Sequence, residues 1–423
     1  MSANPSPIEA VTSLDVTLGA LEIGTIVRTP GNYNAFSFAQ SYRAMPDPPI
    51  LSLSFRAADG HLRKDPKPEH GLLPAFFSNL LPEEKLREAM ERYHAQAVRP
   101  GNDFDLLTAL GGDLPGAVRV VPSGGKPLPE AAVKAATGKV RFSLSGVQMK
   151  LSVMKNTGKE GGITLPIGDA DGNYIAKFPS LNYVGLSENE FAMLALHERL
   201  GMEVPERELV DKKEFDGIPP EFNTLATGRV LLTRRFDRNE AGRVHIEDFA
   251  QVFGVQPRLK YTGAGYHNIA DALNRAVSFE AAIAFVRRLA IAAVTGNGDM
   301  HLKNWSLIYP GDGRTPQFAP VYDVLSTIPY LPADNLALSL GGEKSFKALT
   351  QDRWRTLANR ARLPEGAVLK SVAETAAVIH DLWKTLPERD VVPKPVLELI
   401  DSHVAAMAPI LDPAMRSKGT SNC

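Results

Sequence analysis

The stretch from Thr295 to Asp323, TGNGDMHLKNWSLIYPGDGRTPQFAPVYD, constrains this chain more than any other. Asp299 is followed five residues later by Asn304, and Asp323 comes 19 residues after that. That spacing gives each of the three side chains a separate task. A first carboxylate orients an incoming hydroxyl. A side-chain carbonyl and a second carboxylate, both hard oxygen donors, hold magnesium against phosphate groups. Taken singly, the plain readings win: Gly-Asp is common in turns, Asn304 can end a loop, and Tyr322-Asp323-Val324 can end a strand. The third oxygen donor at a sensible distance favours the chemical reading.

This is the layout that protein kinases use for phosphoryl transfer, where positioning and charge stabilisation dominate. Asp299 is the candidate catalytic base, and Asn304 and Asp323 are the candidate magnesium ligands on ATP. His301 and Lys303 lie inside the same loop. A lysine there is placed to neutralise the transferred phosphoryl group and the histidine to brace the loop; the plain alternative for both is solvent exposure or a structural hydrogen bond. Lys177 stands in Tyr174-Ile-Ala-Lys-Phe-Pro179, a strand candidate. A strand lysine facing a cleft pairs with the α- and β-phosphates and needs a carboxylate to fix it. Glu190 is the first choice and Glu188 the second. Ser187-Glu-Asn-Glu190 also reads as a capping box that needs no nucleotide, so ion pair and cap both stand. Ser143-Leu-Ser-Gly-Val-Gln-Met-Lys150 precedes these strands, where a phosphate-binding loop belongs. It has neither G-x-G-x-x-G nor the Walker pattern, yet its backbone amides suit phosphate, and Ser143 and Ser145 put hydroxyls beside the expected ATP.

The rest of the chain supplies a scaffold for such a site. With 423 residues there is room for two or three domains and a substantial core. A net charge of −1 gives no global electrostatic case for nucleic acid. The single cysteine, Cys423, excludes an intramolecular disulfide and a multi-cysteine metal site, and a reducing, cytoplasmic setting is the expectation. Glu9 and Asp15 stand where the apolar core of a signal peptide would lie, and no apolar run approaches a membrane span.

Residues 1–125 read as one unit, with strand-like runs at Leu14–Leu18, Thr25–Arg28 and Leu51–Phe55, helical pattern from Leu73 to Gln96 broken at Pro82, and more at Asp103–Leu110. Pro122, Gly124, Gly125, Pro127 and Pro129 read as a linker. Residues 126–236 form a three-stranded meander (Leu151–Lys155, Ile163–Pro166, Tyr174–Phe178) with turns at Asn156-Thr-Gly and Asp171-Gly-Asn. A helix from Glu188 to Leu200 follows, with Ser187 as N-cap and Gly201 as stop, and then a strand from Arg229 to Arg235. Residues 237–423 are mostly helical, including Phe279–Ala293 and Val391–Met407, with a small polar tail. The expected fold is α+β: a two-lobed, protein-kinase-like arrangement of a small antiparallel β lobe and a mostly helical large lobe, with an additional N-terminal α/β subdomain.

Together these residues resemble the HipA family of bacterial Ser/Thr kinases, the toxins of HipBA toxin–antitoxin systems. The likeness covers nearly the whole chain, through Pro74-Ala-Phe-Phe-Ser-Asn-Leu-Leu-Pro82, Gly111-Gly-Asp-Leu-Pro-Gly-Ala117, the Ser143–Lys150 loop, Ala176-Lys-Phe-Pro179, Arg235-Phe-Asp-Arg238, Glu247-Asp-Phe-Ala-Gln251, Gly298–Asn304 and Tyr322-Asp-Val-Leu-Ser326. The resemblance implies an ATP- and Mg2+-dependent kinase that phosphorylates a serine on a translation-related protein, an aminoacyl-tRNA synthetase, and so halts translation and leads to dormancy. It implies autophosphorylation at Ser143, with Ser145 as a second candidate. The nucleotide contacts it implies fall on Ser145, Gly146, Val147, Gln148, Lys150, Lys177, Glu190, Arg234, Phe236, His301, Asn304 and Asp323. The implied partner is a HipB-type helix-turn-helix antitoxin, through which DNA is met only indirectly, and no membrane is involved. One departure is Arg234, where some members carry an acidic residue, which leaves adenine contact there to backbone groups. Two alternatives stand beside this reading: a small-molecule phosphotransferase of the aminoglycoside-kinase type, and a catalytically silent corepressor of a DNA-binding partner.

Overall fold

The computed structural model of the chain describes residues 11–93, 98–125, 148–155, 162–164, 171–180, 182–216 and 228–415. The Asn156-Thr-Gly turn, the linker prolines Pro127 and Pro129, the polar tail and the serines Ser143 and Ser145 lie outside them.

Alternating side chains build the first sheet. Leu14 and Val16 of β1 (Ser13–Leu18) and Phe36 and Phe38 of β3 (Tyr33–Phe38) are buried on every second residue, the period of a half-covered strand. β2 (Leu21–Thr29) runs between them, and β4 (Glu69–His70) and β5 (Val118–Pro122) close an antiparallel sheet of order β4-β3-β2-β1-β5. Its apolar face packs on Phe76 and Phe77, and on Leu106 and Leu107 of helix α2; α1 spans Glu84–Tyr93 and α2 spans Asp103–Leu110. The expected strand at Leu51–Phe55 is not formed. Ser52 accepts the Ser54 amide and turns Leu53–Phe55 into a short 3-10 helix, which outweighs the alternating pattern.

The second sheet has the order β10-β7-β6-β8-β11-β9, from β6 (Lys150–Lys155), β7 (Ile163–Thr164), β8 (Tyr174–Lys177), β9 (Arg207–Val210), β10 (Phe215–Asp216) and β11 (Val230–Arg234). The expected sequential meander is corrected here: β6 lies between β7 and β8, so the third strand returns to the far side of the first. Lys150 becomes the first residue of β6 instead of a loop residue, directly opposite Lys177 on β8. Helix α3 (Leu186–Arg199) starts at Gly185, with Ser187 inside it and no side-chain cap, so the capping-box reading fails. Gly201, in the left-handed region (φ 77°), follows its end as expected.

The remaining residues are mostly helical: α4 (Tyr266–Ala276), α5 (Phe279–Thr295), α6 (Gln351–Arg360), α7 (Glu365–Thr385) and α8 (Lys394–Leu411). From Leu289 to Thr295 every side chain of α5 is buried, the pattern of a helix enclosed by others. The architecture is mixed α+β, and no described helix is long and apolar enough to cross a membrane.

Polar joints fasten the first sheet unit to the rest. Asp237 accepts hydrogen bonds from Arg235, Arg238 and the Gly116 amide (2.8 Å), and Arg238 also reaches Asp113. Glu247, fully buried, accepts from Ser52 Oγ (2.6 Å), the Leu53 amide (3.0 Å) and the Tyr309 hydroxyl. Burial pushes the Glu247 carboxyl up to about 7, against those three donors. The folded chain therefore holds that proton more tightly than the unfolded one, and ionising Glu247 costs native stability as pH rises from about 4.5 to about 7. Asp248, itself raised to about 6 by burial, adds to the upward push on Glu247, while neighbouring His245 is held down at about 4 by burial. We expect Glu247→Gln, which keeps acceptor and shape, to gain on the order of 3 kcal/mol relative to wild type across that window. Urea unfolding of both proteins at either end of it checks this; a pH-independent difference contradicts it.

Candidate active site

Two glycines shape the loop that follows α5. Gly296 (φ 72°) ends the helix in the left-handed region. At Gly298 a Cβ would meet Asp334 Oδ2 at 2.0 Å, so only glycine lets the chain pass. The Gly298 amide donates to Thr327 Oγ1 (2.9 Å) and the Asp299 amide to Asn297 Oδ1 (3.0 Å). Asn304 Nδ2 then donates back to the Asp299 carbonyl (2.6 Å), which closes the loop and leaves the Asn304 side-chain oxygen as its open acceptor.

Asp323 lies across from this loop, in the left-handed backbone region (φ 56°). Its carboxylate receives Lys150 Nζ on both oxygens (2.9 Å each) and Lys177 Nζ on Oδ1 (2.7 Å). Lys177 also pairs with Glu190 of α3, so Glu190 is its carboxylate partner; Glu188 lies 3.6 Å from Arg229 instead. All four charges sit in or against protein interior, with Lys150, Lys177 and Glu190 nearly fully buried. Burial alone would raise the Asp323 carboxyl, but Lys150 and Lys177 hold it well below the usual carboxylate range. Burial opposes the Lys177 ammonium, yet Asp323 and Glu190 together hold its pKa above the ordinary value. Burial raises Glu190, whose Oε2 has no hydrogen-bond partner among the described residues.

A cleft runs through this point. On one side, about 920 Å³ of space is lined by Ile175, Leu194, Thr233, Phe236, Val321 and Tyr322, with Lys150, Lys177 and Asp323 at its polar end. Phe236 and Tyr322, ring centres 5.5 Å apart, pack on each other as an apolar wall there. On the other side, about 1110 Å³ opens past Gln148, Asp299, His301 and Asn304 towards Tyr183, Tyr261 and Tyr330. Lys150 and Asp323 line both halves. A flat apolar slot next to paired lysines, continuous with a carboxylate-bearing chamber, suits a planar base joined to a polyanion.

Asp299 has about half of its side chain open to water, while the rest is packed into the chamber wall. Burial raises its carboxyl, to about 6; the Tyr261 hydroxyl, donating to Oδ1 at 2.7 Å, pulls the other way. His301 is buried, and burial followed by the charge of Lys260 lowers it to about 3, so the ring is neutral. Its Nδ1 accepts the Lys303 amide (3.3 Å), which assigns the proton to Nε2, 3.9 Å from Asp299. The histidine braces the loop.

Lys303 departs from expectation. It borders the apolar side of the cleft, but its ammonium is held by Glu83 and by the Asn79 carbonyl (3.0 Å), both from the first sheet unit. It does not face Asp299, because Glu83 offers a buried countercharge on the opposite side. Arg234 lines the cleft, and its exposed guanidinium lies 3.6 Å from Glu206. Gln148 is buried and donates to Ser187 Oγ (3.0 Å). Ser143, Ser145, Gly146 and Val147 lie outside the described residues. Sequence reasoning missed Tyr261, Glu83 and Lys260, for which no motif gave a signal.

Comparison with known proteins names the class to which this architecture belongs. Residues 142–383 match the family model of the HipA-like C-terminal domain and residues 14–121 that of the HipA N-terminal domain. The chain belongs to the HipA family. "Putative kinase Y4dM" of Sinorhizobium fredii is 42% identical over 93% of this chain and 96% of its own length. The serine/threonine-protein kinase toxin HipA of Shewanella oneidensis is 27% identical over 71% of this chain and 74% of its own. A solved structure of the Shewanella oneidensis HipA, HipB and operator DNA complex shares the fold, with a TM-score of 0.71 and 22% identity, covering 94% of this chain and 96% of that one.

Asp323 is the single carboxylate that separates Lys150 from Lys177. We expect Asp323→Asn to lose about 3–5 kcal/mol of unfolding free energy, because two buried ammonium groups then share only Glu190. Chemical denaturation measures this, and an unchanged midpoint would refute the pairing.

Proposed function

We propose that this protein is an ATP- and Mg2+-dependent Ser/Thr protein kinase, the toxin of a toxin–antitoxin pair. The observation that carries the reading is the convergence of Lys177, Glu190 and Asp323 at the centre of a cleft whose far chamber holds Asp299 and Asn304. In this reading residues 126–236 form a small β lobe, residues 237–423 a mostly helical large lobe, and residues 1–125 an added subdomain, with ATP between the lobes. The adenine would lie against the apolar wall of Phe236 and Tyr322, and Lys150 and Lys177 would serve the phosphates. Asn304 and Asp323 offer two hard oxygens for Mg2+, which supplies charge neutralisation on the phosphates when bound. The donor set fits, since the Asn304 amide nitrogen is already committed to the Asp299 carbonyl.

Asp299 orients the serine hydroxyl and accepts its proton. The oxygen–phosphorus bond to ADP breaks as the serine oxygen binds the phosphoryl group. His301 and Tyr261 hold Asp299 in place. The Ser143–Lys150 segment supplies Ser143 and Ser145 as sites of autophosphorylation, and a phosphate there, carrying about −1.5 to −2 charges, would repel ATP. The protein substrate in this reading is an aminoacyl-tRNA synthetase in the cytoplasm. The partner is a HipB-type antitoxin, as in the complex formed by the Shewanella oneidensis relative, with DNA met only through it.

The test is intact mass before and after magnesium-ATP, for wild type and Asp299→Ala. We expect wild type to gain phosphate at Ser143 or Ser145 and the variant to be slowed by a factor of about 10²–10⁴ with its fold retained. A variant that matches wild type removes Asp299 from the chemistry. A wild type that neither binds magnesium-ATP nor gains mass overturns the kinase reading.

A further inference from the structure

The kinase reading assigns no chemical task to the first sheet unit, yet that unit reaches the Asp299 loop through the Glu83 carboxylate and the Asn79 carbonyl, and Glu84 adds a second contact to Lys260 at 3.2 Å. Glu83 stands just before α1, and its carboxylate bridges two ammonium groups. Lys303, inside the Asp299–Asn304 loop, meets Glu83 Oε1, and Lys260 meets Oε2 at 2.7 Å. The side chains of Lys303, Lys260 and Glu83 are only 3%, 7% and 11% exposed, so this is an interior triad and not a surface pair.

Each lysine holds a different part of the centre. Lys303 immediately precedes Asn304, and its carbonyl accepts the Tyr322 hydroxyl (2.9 Å). Lys260 accepts the Leu302 amide on its carbonyl (3.2 Å) and immediately precedes Tyr261, whose hydroxyl donates to Asp299. One carboxylate therefore fixes both the loop that carries Asp299 and Asn304 and the turn that restrains Asp299 from outside. Burial works against the Glu83 charge, but the two lysines hold its carboxyl below the ordinary value, so it is ionised and committed to both.

We propose that Glu83 is a positioning residue for phosphoryl transfer: through Lys303 and Lys260 it holds Asp299 and Asn304 in register with Asp323. The first sheet unit is then part of the catalytic apparatus, and not only a surface for partners. The proposal rests on the kinase reading. Glu83 lines neither half of the cleft, so its loss affects the rate at saturation and leaves nucleotide affinity nearly unchanged, since Lys150, Lys177 and the Phe236–Tyr322 wall lie on other elements.

The experiment uses the full chain and follows the initial rate of its own phosphorylation against magnesium-ATP concentration by intact mass. Hydrogen–deuterium exchange of the peptide spanning residues 299–305 is read in parallel. Glu83→Gln is expected to lower the saturating rate by about tenfold or more, with the half-saturating ATP concentration within about threefold of wild type, and to speed exchange in that peptide. Glu83→Asp, which keeps the charge, is expected to recover part of the rate. Because Glu83→Gln leaves the buried Lys303 without its carboxylate partner, while Lys260 keeps Glu84, the double variant Glu83→Gln/Lys303→Met serves as its folded counterpart and is expected to stay slow. Wild-type rate and exchange in the folded double variant, or in Glu83→Gln, overturn the role of Glu83 alone. A wild type that neither binds magnesium-ATP nor takes up phosphate overturns the kinase reading and this role with it.

Discussion

Two lysines face each other across a β-sheet. Lys150 and Lys177 are register partners on β6 and β8, and like charges directly opposite destabilise a strand pair. What makes the pairing tolerable is Asp323, which arrives from the helical part of the chain and bonds to both ammonium groups. Glu190 completes the balance from α3. The six-stranded sheet is thus electrostatically incomplete by itself. Its two central strands depend on a residue from a distant part of the sequence, and the same residue lies where the two halves of the cleft meet. Closure of the fold and assembly of the site are one event.

The contacts between the first sheet unit and the rest follow the same logic. They include buried polar joints: the Gly116 amide with Asp237, Asp113 with Arg238, Ser52 with Glu247, and Glu83 with Lys260 and Lys303. Buried ion pairs add little net stability over apolar contacts of equal volume, because desolvation offsets most of the attraction. What they supply is geometry, since each has a single low-energy arrangement and a steep penalty for leaving it. An interface of this kind sets a register between units more firmly than an oily one would.

Much of the site could be read from sequence because its chemistry needs particular side chains at short spacing. Asp299 and Asn304 are five residues apart and share one loop closed by their own hydrogen bond. Lys177 and Glu190 are 13 apart and meet through a strand and the helix after it. Long helices were legible too, as in Phe279–Thr295, where the apolar pattern is strong. The failures have a common cause. The β7-β6-β8 order depends on which edge a returning strand chooses, and strand composition carries no information about that. Ser52 turned an alternating run into a 3-10 helix through one hydroxyl. Lys303 was drawn to Glu83 across 220 residues of sequence, and no local pattern records that partner. Tyr261 reaches Asp299 from 38 residues away for the same reason.

That separation has a consequence for a chain made from one end to the other. The segment bearing Glu83 leaves the ribosome well before its countercharges exist, and 220 further residues must be added before Lys303 appears. At typical elongation rates that interval is roughly 10–40 s. Asp323, which both strand lysines need, comes later still. A nascent chain can fold its first sheet during this time, but it cannot hold a finished catalytic loop. The centre closes only once the chain has been made as far as Asp323, so the order of the residues withholds it from any shorter nascent chain.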